Sequence, residues 1–155
     1  MKAIYLTKYG DSNKVFDIRE VNQPKPAPGQ VLIKVEAFGL NFADVIARRG
    51  LYPDAPKNPA LLGYDVAGTV AGLGEGVSSV NIGDRVSALT RFGGYAEYAC
   101  TMEEGVAKIP DNMDTALSTA LATQACTAYY SAVQCVNLHP DDKVLIHAAA
   151  GGVGS

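Results

Sequence analysis

The sequence predicts a mainly β protein in which a barrel or sandwich of short strands is followed by a helical connector and the opening strand of a parallel α/β sheet. Short strand-like runs broken by turns fill the first hundred or so residues, which is typical of all-β folds. Alanine and leucine then recur at helical spacing, and a short apolar run leads into glycines. We therefore expect two domains, residues 1–113 and 114–155.

Six segments of the β-rich part have the length and composition of strands, and turn residues separate them. They are Ala3–Thr7, Val15–Val21, Val31–Ala37, Asp65–Ala71, Arg85–Leu89 and Tyr95–Thr101. One helix is predicted among them, from Phe42 to about Arg49, with Asn41 as its N-cap and Gly50 closing it. Asp44 lies in its first turn, where the helix dipole favours an acidic residue.

The helical connector is predicted over Asp114–Val136. This segment is rich in alanine, and four residues recur at a spacing of four, as one stripe of a helix requires. They are Leu117, Leu121, Ala125 and Tyr129. Asn137–Asp142 is then expected to turn the chain into its final strand.

That final strand is predicted at Lys143–His147, and Gly151, Gly152 and Gly154 follow it where a helix should begin. Such a turn lets the backbone approach a pyrophosphate, whose charge the free N–H groups of the helix N-terminus stabilise. Against the G-x-G-x-x-G pattern, Ala149 replaces the first glycine, so an ordinary glycine-rich turn is the alternative. The acidic residue expected about 20 positions later lies beyond these 155 residues, so NADH and NADPH are not distinguished.

Composition narrows the class of protein. With 48% hydrophobic and 19% charged residues and no apolar run of membrane-spanning length, the sequence indicates a soluble protein, expected in the cytoplasm. The net charge of −3 is scattered, which argues against nucleic acid or a membrane surface as a partner. Cys100, Cys126 and Cys135 form no C-x-x-C pair, and His139 and His147 have no neighbour at metal-ligand spacing.

Six motifs spread over the whole chain carry a family resemblance. They are Gly39–Asp44, Arg49–Tyr52, Leu62–Gly68, Gly83–Val86, Gly94–Glu97 and His147–Gly154. With them the chain resembles the N-terminal half of a medium-chain dehydrogenase/reductase, in the zinc-independent quinone oxidoreductase branch that includes zeta-crystallin. The resemblance implies a GroES-like β-barrel catalytic domain that further strands complete, a Rossmann domain that binds NAD(P) and is truncated here, and an active site between the two.

The resemblance also bears on zinc. Zinc-dependent relatives place a cysteine where Asn41 stands, a histidine–glutamate pair where Tyr64 and Asp65 stand, and a further cysteine near Thr123. Zinc prefers thiolate, imidazole and carboxylate, and a catalytic site needs three protein ligands. We therefore expect no metal and no Lewis-acid activation by zinc.

Without a metal, hydrogen bonds to the developing oxyanion of a conjugated carbonyl support hydride transfer. We predict Asn41 and Tyr52 as the catalytic donors, an amide and a phenol. The alternatives are a helix cap for Asn41 and a packed aromatic ring for Tyr52. The cofactor-binding residues that the resemblance implies are Asn41, Thr127, Tyr130, Gly151, Gly152 and Val153.

The resemblance thus implies a parent enzyme that transfers hydride from NADPH, with NADH not excluded, to a quinone or an α,β-unsaturated carbonyl compound. An enoyl thioester reductase and a non-catalytic GroES-like binding module are the alternatives. We expect the 155 residues alone to be inactive, because the helix after Gly154 is missing. We also expect the edge of Lys143–His147 to pair with a second copy, giving a homodimer.

Overall fold

A computed structural model describes all 155 residues and contains two antiparallel sheets. The strands are β1 (Lys2–Leu6), β2 (Phe16–Glu20), β3 (Gln30–Phe38), β4 (Ala60–Leu61), β5 (Asp65–Leu73), β6 (Arg85–Leu89), β7 (Tyr98–Met102) and β8 (Val106–Lys108). The small sheet has the order β2-β1-β4, and the large sheet has the order β7-β3-β5-β6-β8. The prediction of a mainly β fold is confirmed.

Each of the six predicted strands is present, with ends shifted by no more than three residues. The sequence did not predict β4 and β8, because runs of two and three residues carry no readable alternation. A short helix, α1 (Ser12–Val15), was also not predicted, and it begins ahead of β2.

The core of the large sheet is built from small, branched side chains. Its buried members are Val31, Ile33, Val66, Val70, Val80, Val86, Ala88 and Ala99. Each fully buried valine or isoleucine contributes about 1.5 to 3 kcal/mol of hydrophobic free energy. At Gly68 on β5 a Cβ atom would lie 2.0 Å from the carbonyl oxygen of Lys34 on β3, so only glycine fits there.

A second core cluster joins the small sheet to the helix α2 (Phe42–Arg48). Its buried members are Leu6, Val15, Ala47, Ala60, Leu62 and Tyr95. The predicted helix is confirmed: Asn41 is its N-cap, and the Asp44 carboxylate accepts a hydrogen bond from the Asn41 N–H at 2.9 Å. Gly50, with a φ of 74°, ends the helix and donates its N–H to the carbonyl of Ala47 at 2.9 Å.

The helical connector is confirmed as one helical run over residues 115–135. It consists of α3 (Thr115–Ala120), a π-helical stretch (Leu121–Ala125), α4 (Cys126–Tyr129) and a second π-helical stretch (Tyr130–Cys135). Asp114 caps it by accepting the N–H of Leu117 at 2.8 Å. No helix of the protein has both the length and the apolar character needed to cross a membrane.

Arg85 on β6 fixes the start of the connector to the barrel. Its guanidinium donates four hydrogen bonds of 2.7–2.9 Å, to the carbonyl oxygens of Pro110, Asp111 and Met113 and to the hydroxyl of Thr115. Two residues further along the same strand, the buried Ser87 hydroxyl donates to the carbonyl of Ser118 at 2.8 Å. These hydrogen bonds therefore attach the first turn of the helix to the large sheet.

The predicted strand at Lys143–His147 is wrong for this structure, since no ladder forms there. Val144, Leu145 and Ile146 are 57%, 80% and 56% exposed. A parallel strand needs neighbouring strands that form hydrogen bonds with its backbone. Both sheets of the structure consist of β1–β8 alone, so Lys143–His147 has no such neighbour. The following glycine segment does form a tight turn, in which the Gly151 N–H donates to the carbonyl of Ala148 at 2.8 Å.

Candidate active site

A cleft of about 520 Å³ lies where the barrel meets the connector helix. Its walls are Ala43, Tyr52, Tyr64 and Leu89 from the barrel, and Thr123, Cys126, Thr127, Tyr130 and Ser131 from the helix. Three residues that the sequence singled out, Tyr52, Thr127 and Tyr130, therefore line one cavity.

The floor of the cleft carries a pair of tyrosines. The Tyr64 hydroxyl donates a hydrogen bond of 2.8 Å to the Tyr52 hydroxyl, and the two rings are 6.1 Å apart and nearly perpendicular. Burial raises the pKa of Tyr64, and its hydrogen bond to Tyr52 raises that pKa further, so Tyr64 keeps its proton. Since each phenol has one hydrogen, that of Tyr52 remains available for another acceptor.

The backbone around Tyr64 is held in place from both sides. Gly63 has a φ of 102°, which favours glycine, and its carbonyl accepts the buried hydroxyl of Thr90 at 2.8 Å. The N–H of Thr90 in turn donates to the carbonyl of Tyr64 at 2.8 Å. The ring of Phe92 packs against that of Tyr64 at 5.2 Å between centroids. Tyr64 is a residue to which the sequence assigned no role.

Asn41 does not line the same cavity as Tyr52. It faces a second cavity, of about 420 Å³, on the other side of α2 from Ala43. Its Nδ2 donates to Oδ2 of Asp65 at 3.2 Å, and the second hydrogen of that amide makes no bond within the chain. The two residues predicted as donors thus line different cavities, and one of the two Asn41 amide hydrogens is already used.

Two buried carboxylates, Asp44 and Asp65, flank Asn41. They are only 6% and 1% exposed, and one oxygen of each, Oδ1, is buried without a hydrogen-bond partner. Burial raises the pKa of Asp44, although the Asn41 N–H and the neighbouring Tyr95 phenol act in the opposite direction. At Gly39 a Cβ atom would lie 2.1 Å from Oδ1 of Asp65, so this glycine makes room for the carboxylate.

The role of Asp65 was missed at the sequence level. An acidic residue at the start of the apolar strand β5 was the available signal, because a buried carboxylate needs a specific partner. That partner, Asn41, lies 24 residues away along the chain, so no local motif joins the two.

Thr127 and Tyr130 present different groups to the cleft. The Thr127 hydroxyl donates to the carbonyl of Thr123 at 2.6 Å, which leaves its oxygen free only to accept. Tyr130 is 62% exposed, so its ring is a broad apolar surface with a phenol at its end. Together they offer an acceptor and an aromatic face.

The glycine turn fits a phosphate group. The N–H groups of Gly152 and Val153 make no hydrogen bond within the chain. At Gly154 a Cβ atom would lie 2.6 Å from the backbone of its own turn, so a larger residue does not fit. A Cβ at Gly152 would lie 2.5 Å from the side-chain amide of Gln124, which places the turn beside the helix that lines the cleft. Free N–H groups on a glycine-rich turn are what an anion requires.

The donor set is different from that of a catalytic zinc centre. No three His, Cys, Asp or Glu side chains in the 155 residues are grouped as metal ligands. Asp44 and Asp65 supply only two such groups, whereas catalytic zinc needs three protein ligands. Zinc independence stays a prediction that elemental analysis can test.

A GroES-like barrel with a cleft against a helical connector is the architecture of the N-terminal half of medium-chain dehydrogenases/reductases, and relatives and solved structures named quinone oxidoreductase match this chain. The chain belongs to the family of the alcohol dehydrogenase GroES-like domain, whose model matches residues 27–111. The recognition of the branch from the sequence is thereby confirmed.

Curated relatives match almost the whole chain. Human synaptic vesicle membrane protein VAT-1 homolog-like is 39% identical over 154 residues, covering 99% of this chain and 36% of the relative. The quinone oxidoreductase of Lama guanicoe is 38% identical over 155 residues, covering 99% of this chain and 47% of the relative. The chain thus spans less than half the length of these relatives.

Solved structures agree with this assignment. That of the human VAT-1 homolog-like protein superposes with a TM-score of 0.94 at 38% identity, covering 99% of this chain and 50% of that one. The Escherichia coli quinone oxidoreductase in complex with NADPH superposes with a TM-score of 0.90 at 32% identity, covering 99% and 47%.

Proposed function

We propose that the whole protein to which this chain belongs transfers hydride from NADPH to a quinone or an α,β-unsaturated carbonyl compound, without zinc. The observation that carries the proposal is the cleft that Tyr52 lines together with Thr127 and Tyr130, in which the hydroxyl hydrogen of Tyr52 has no partner within the chain. Relatives named quinone oxidoreductase, at 37–38% identity, and a neighbour structure solved with NADPH support it.

Tyr52 is proposed to act on the carbonyl oxygen of the acceptor. NADPH, when bound, supplies the hydride, and the acceptor's carbon gains it while negative charge develops on the acceptor's oxygen. The Tyr52 phenol donates a hydrogen bond to that oxygen and then its proton, which water in the open cleft replaces. The acceptor would gain one hydride, which bound NADPH would supply, and one proton, which Tyr52 would supply.

The remaining site residues are proposed to bind the cofactor. The hydroxyl oxygen of Thr127 is suited to accept from the nicotinamide carboxamide, and Tyr130 to pack against its ring. The second amide hydrogen of Asn41, which faces the neighbouring cavity, is proposed as a cofactor contact, and the proposed role as an oxyanion donor would use the same hydrogen instead. The turn Gly151–Val153 is suited to the pyrophosphate through its two free N–H groups.

We further propose a domain boundary between residues 113 and 114, a cytoplasmic homodimer, and no turnover by the 155 residues alone. Lys143–His147 is exposed and unpaired here, so this chain offers no sheet for the adenine half of the cofactor. Light scattering that finds a monomer at high micromolar concentration would contradict pairing through that segment.

The test begins with calorimetric titration of NADPH into this chain and into the full product of its reading frame. We expect binding, and quinone-dependent NADPH oxidation, only from the full product. There Tyr52→Phe should lower kcat about 100-fold, the size of a general-acid contribution. Tyr9→Phe, an exposed tyrosine outside the cleft, is the matched control. Unchanged turnover by Tyr52→Phe with several enones, or stoichiometric zinc in the protein, would refute the mechanism.

A second candidate is reduction of an enoyl thioester. The CurK enoyl reductase superposes with a TM-score of 0.89 at 31% identity. Comparing kcat/KM for an enoyl thioester with that for a quinone decides between the two substrates.

A third candidate is a non-catalytic binding module. The relatives at 39–40% identity are named for the synaptic vesicle membrane and not for a reaction. NADPH binding by the full product without oxidation by any of the three acceptor types would favour this role.

A further inference from the structure

The hydroxyl of Tyr52 makes one hydrogen bond within the protein, and its partner is Tyr64. A phenol oxygen can accept while its own hydrogen donates elsewhere. Because Tyr64 donates, the oxygen of Tyr52 is occupied on one side and its hydrogen must lie on another. The hydrogen bond from Tyr64 therefore restricts the rotation of the Tyr52 O–H group, which in an isolated phenol would take up several orientations.

Tyr64 is suited to be the fixed member of this pair. Its carbonyl and that of Gly63 are both held by Thr90, at 2.8 Å each, and its ring packs against Phe92. Tyr52 lies in the loop between α2 and β4, and its carbonyl accepts one hydrogen bond, from the Ala55 N–H at 3.1 Å. The fixed phenol can therefore orient the less constrained one.

The same bond also changes the chemistry of the Tyr52 hydroxyl. A hydrogen bond donated to an oxygen polarises the O–H of that oxygen, so that it becomes a better donor in turn. As proton transfer begins, the charge left on the Tyr52 oxygen is stabilised by the Tyr64 hydroxyl. Neither effect requires Tyr64 to touch the acceptor.

We propose that Tyr64 is a positioning residue that turns the Tyr52 hydroxyl toward the cleft and strengthens it as a donor. The inference rests on the proposed function, and it concerns a side chain 12 residues from Tyr52 that only the fold brings to it. Tyr64 acts solely through Tyr52, so the two hydroxyls form one functional unit.

The test is a double-mutant cycle in the full product of the reading frame, with Tyr52→Phe, Tyr64→Phe and the double variant. Phenylalanine keeps the perpendicular ring packing and removes only the hydroxyl. We expect Tyr64→Phe to lower kcat about five- to tenfold, the effect of one neutral hydrogen bond. In the Tyr52→Phe background, the same change should have no further effect. Multiplicative losses, or no loss in the single variant, would overturn the proposal.

A second readout does not depend on turnover. In protein labelled with carbon-13 at tyrosine Cζ, the Tyr52 resonance is assigned by its loss in Tyr52→Phe. We expect this resonance to shift in Tyr64→Phe and to stay in place in the control Tyr98→Phe, whose side chain lies on β7. An unmoved Tyr52 resonance overturns the proposal. Wild-type protein that oxidises no NADPH with any acceptor refutes the proposed function instead, and the resonance still reports on the tyrosine pair.

Discussion

Replacing Arg85 by methionine should detach the start of the connector helix from the barrel. The guanidinium donates four hydrogen bonds, two to exposed carbonyls and two to partly buried groups. Hydrogen bonds from a charged donor contribute about 1.5 to 3 kcal/mol when buried, and exposed ones contribute much less. Releasing the side chain regains about 2 kcal/mol of rotamer freedom. The expected net loss is about 2 kcal/mol, and methionine retains the packing of the aliphatic stem.

The assay is urea unfolding of this chain, followed by circular dichroism, together with hydrogen exchange of the amides at residues 113–118. We expect a lower midpoint with an unchanged slope, and faster exchange at the start of the helix. Arg19→Met is the control, since the half-exposed Arg19 makes only weak contacts: an ion pair with Asp17 at 3.0 Å, of about 0.5 kcal/mol, and a cation–π contact with the Tyr5 ring at 5.3 Å, of about 0.5 to 1 kcal/mol. If Arg85→Met lowers the free energy of unfolding by no more than Arg19→Met does, the four Arg85 hydrogen bonds do not hold the start of the helix in place.

Three further predictions concern packing and pH. Gly68→Ala should lower the free energy of unfolding by about 3 kcal/mol or prevent folding, because the new Cβ atom would lie 2.0 Å from the Lys34 carbonyl oxygen. Gly72→Ala on the same strand is the control, since its Cβ atom would make only contacts of ordinary length, and it should be tolerated. Thermal unfolding of the two variants measures the difference. Asp44 has a raised pKa, so its carboxyl favours the folded state below the unfolded value of 3.8 and loses that contribution as pH rises through the folded pKa. Wild-type stability relative to Asp44→Asn should therefore fall with rising pH in urea titrations, and a difference independent of pH would refute this. Backbone N–H groups of the 78–79 turn hold the pKa of Glu103 below 4.5, so its contribution is present above that pH and is lost as pH falls. The stability advantage of wild type over Glu103→Gln should accordingly shrink with falling pH, and an advantage that grew would contradict the assigned contacts.

The sequence predicted those parts of the fold that depend on local signals. Strand β6 was predicted with its observed ends, because alternating apolar residues lie directly after a glycine turn. Helix α2 followed from its N-cap and its closing Gly50. Lys143–His147 shows the limit of such signals: its residues favour a strand, yet a strand also needs a neighbour with which to pair.

The candidate site was less accessible to prediction, because its contacts join distant segments. Tyr52 was singled out by resemblance, but its bond to Tyr64 depends on how the loop after α2 meets the turn between β4 and β5. Asp65 and Asn41 meet for the same kind of reason. Local periodicity describes one element at a time, whereas these pairs are set by the packing of one element on another.

The π-helical stretch at Leu121–Ala125 determines which side chains reach the cleft. Such a stretch accommodates one residue more than an α-helix over the same path, and one residue corresponds to a rotation of about 100° about the axis. Thr127 and Tyr130 follow it and line the cleft. Were the stretch regular, Tyr129 would occupy the place that Tyr130 holds. Which side chains line the cleft therefore depends on the rotation of the helix about its axis as well as on the residue types in the sequence.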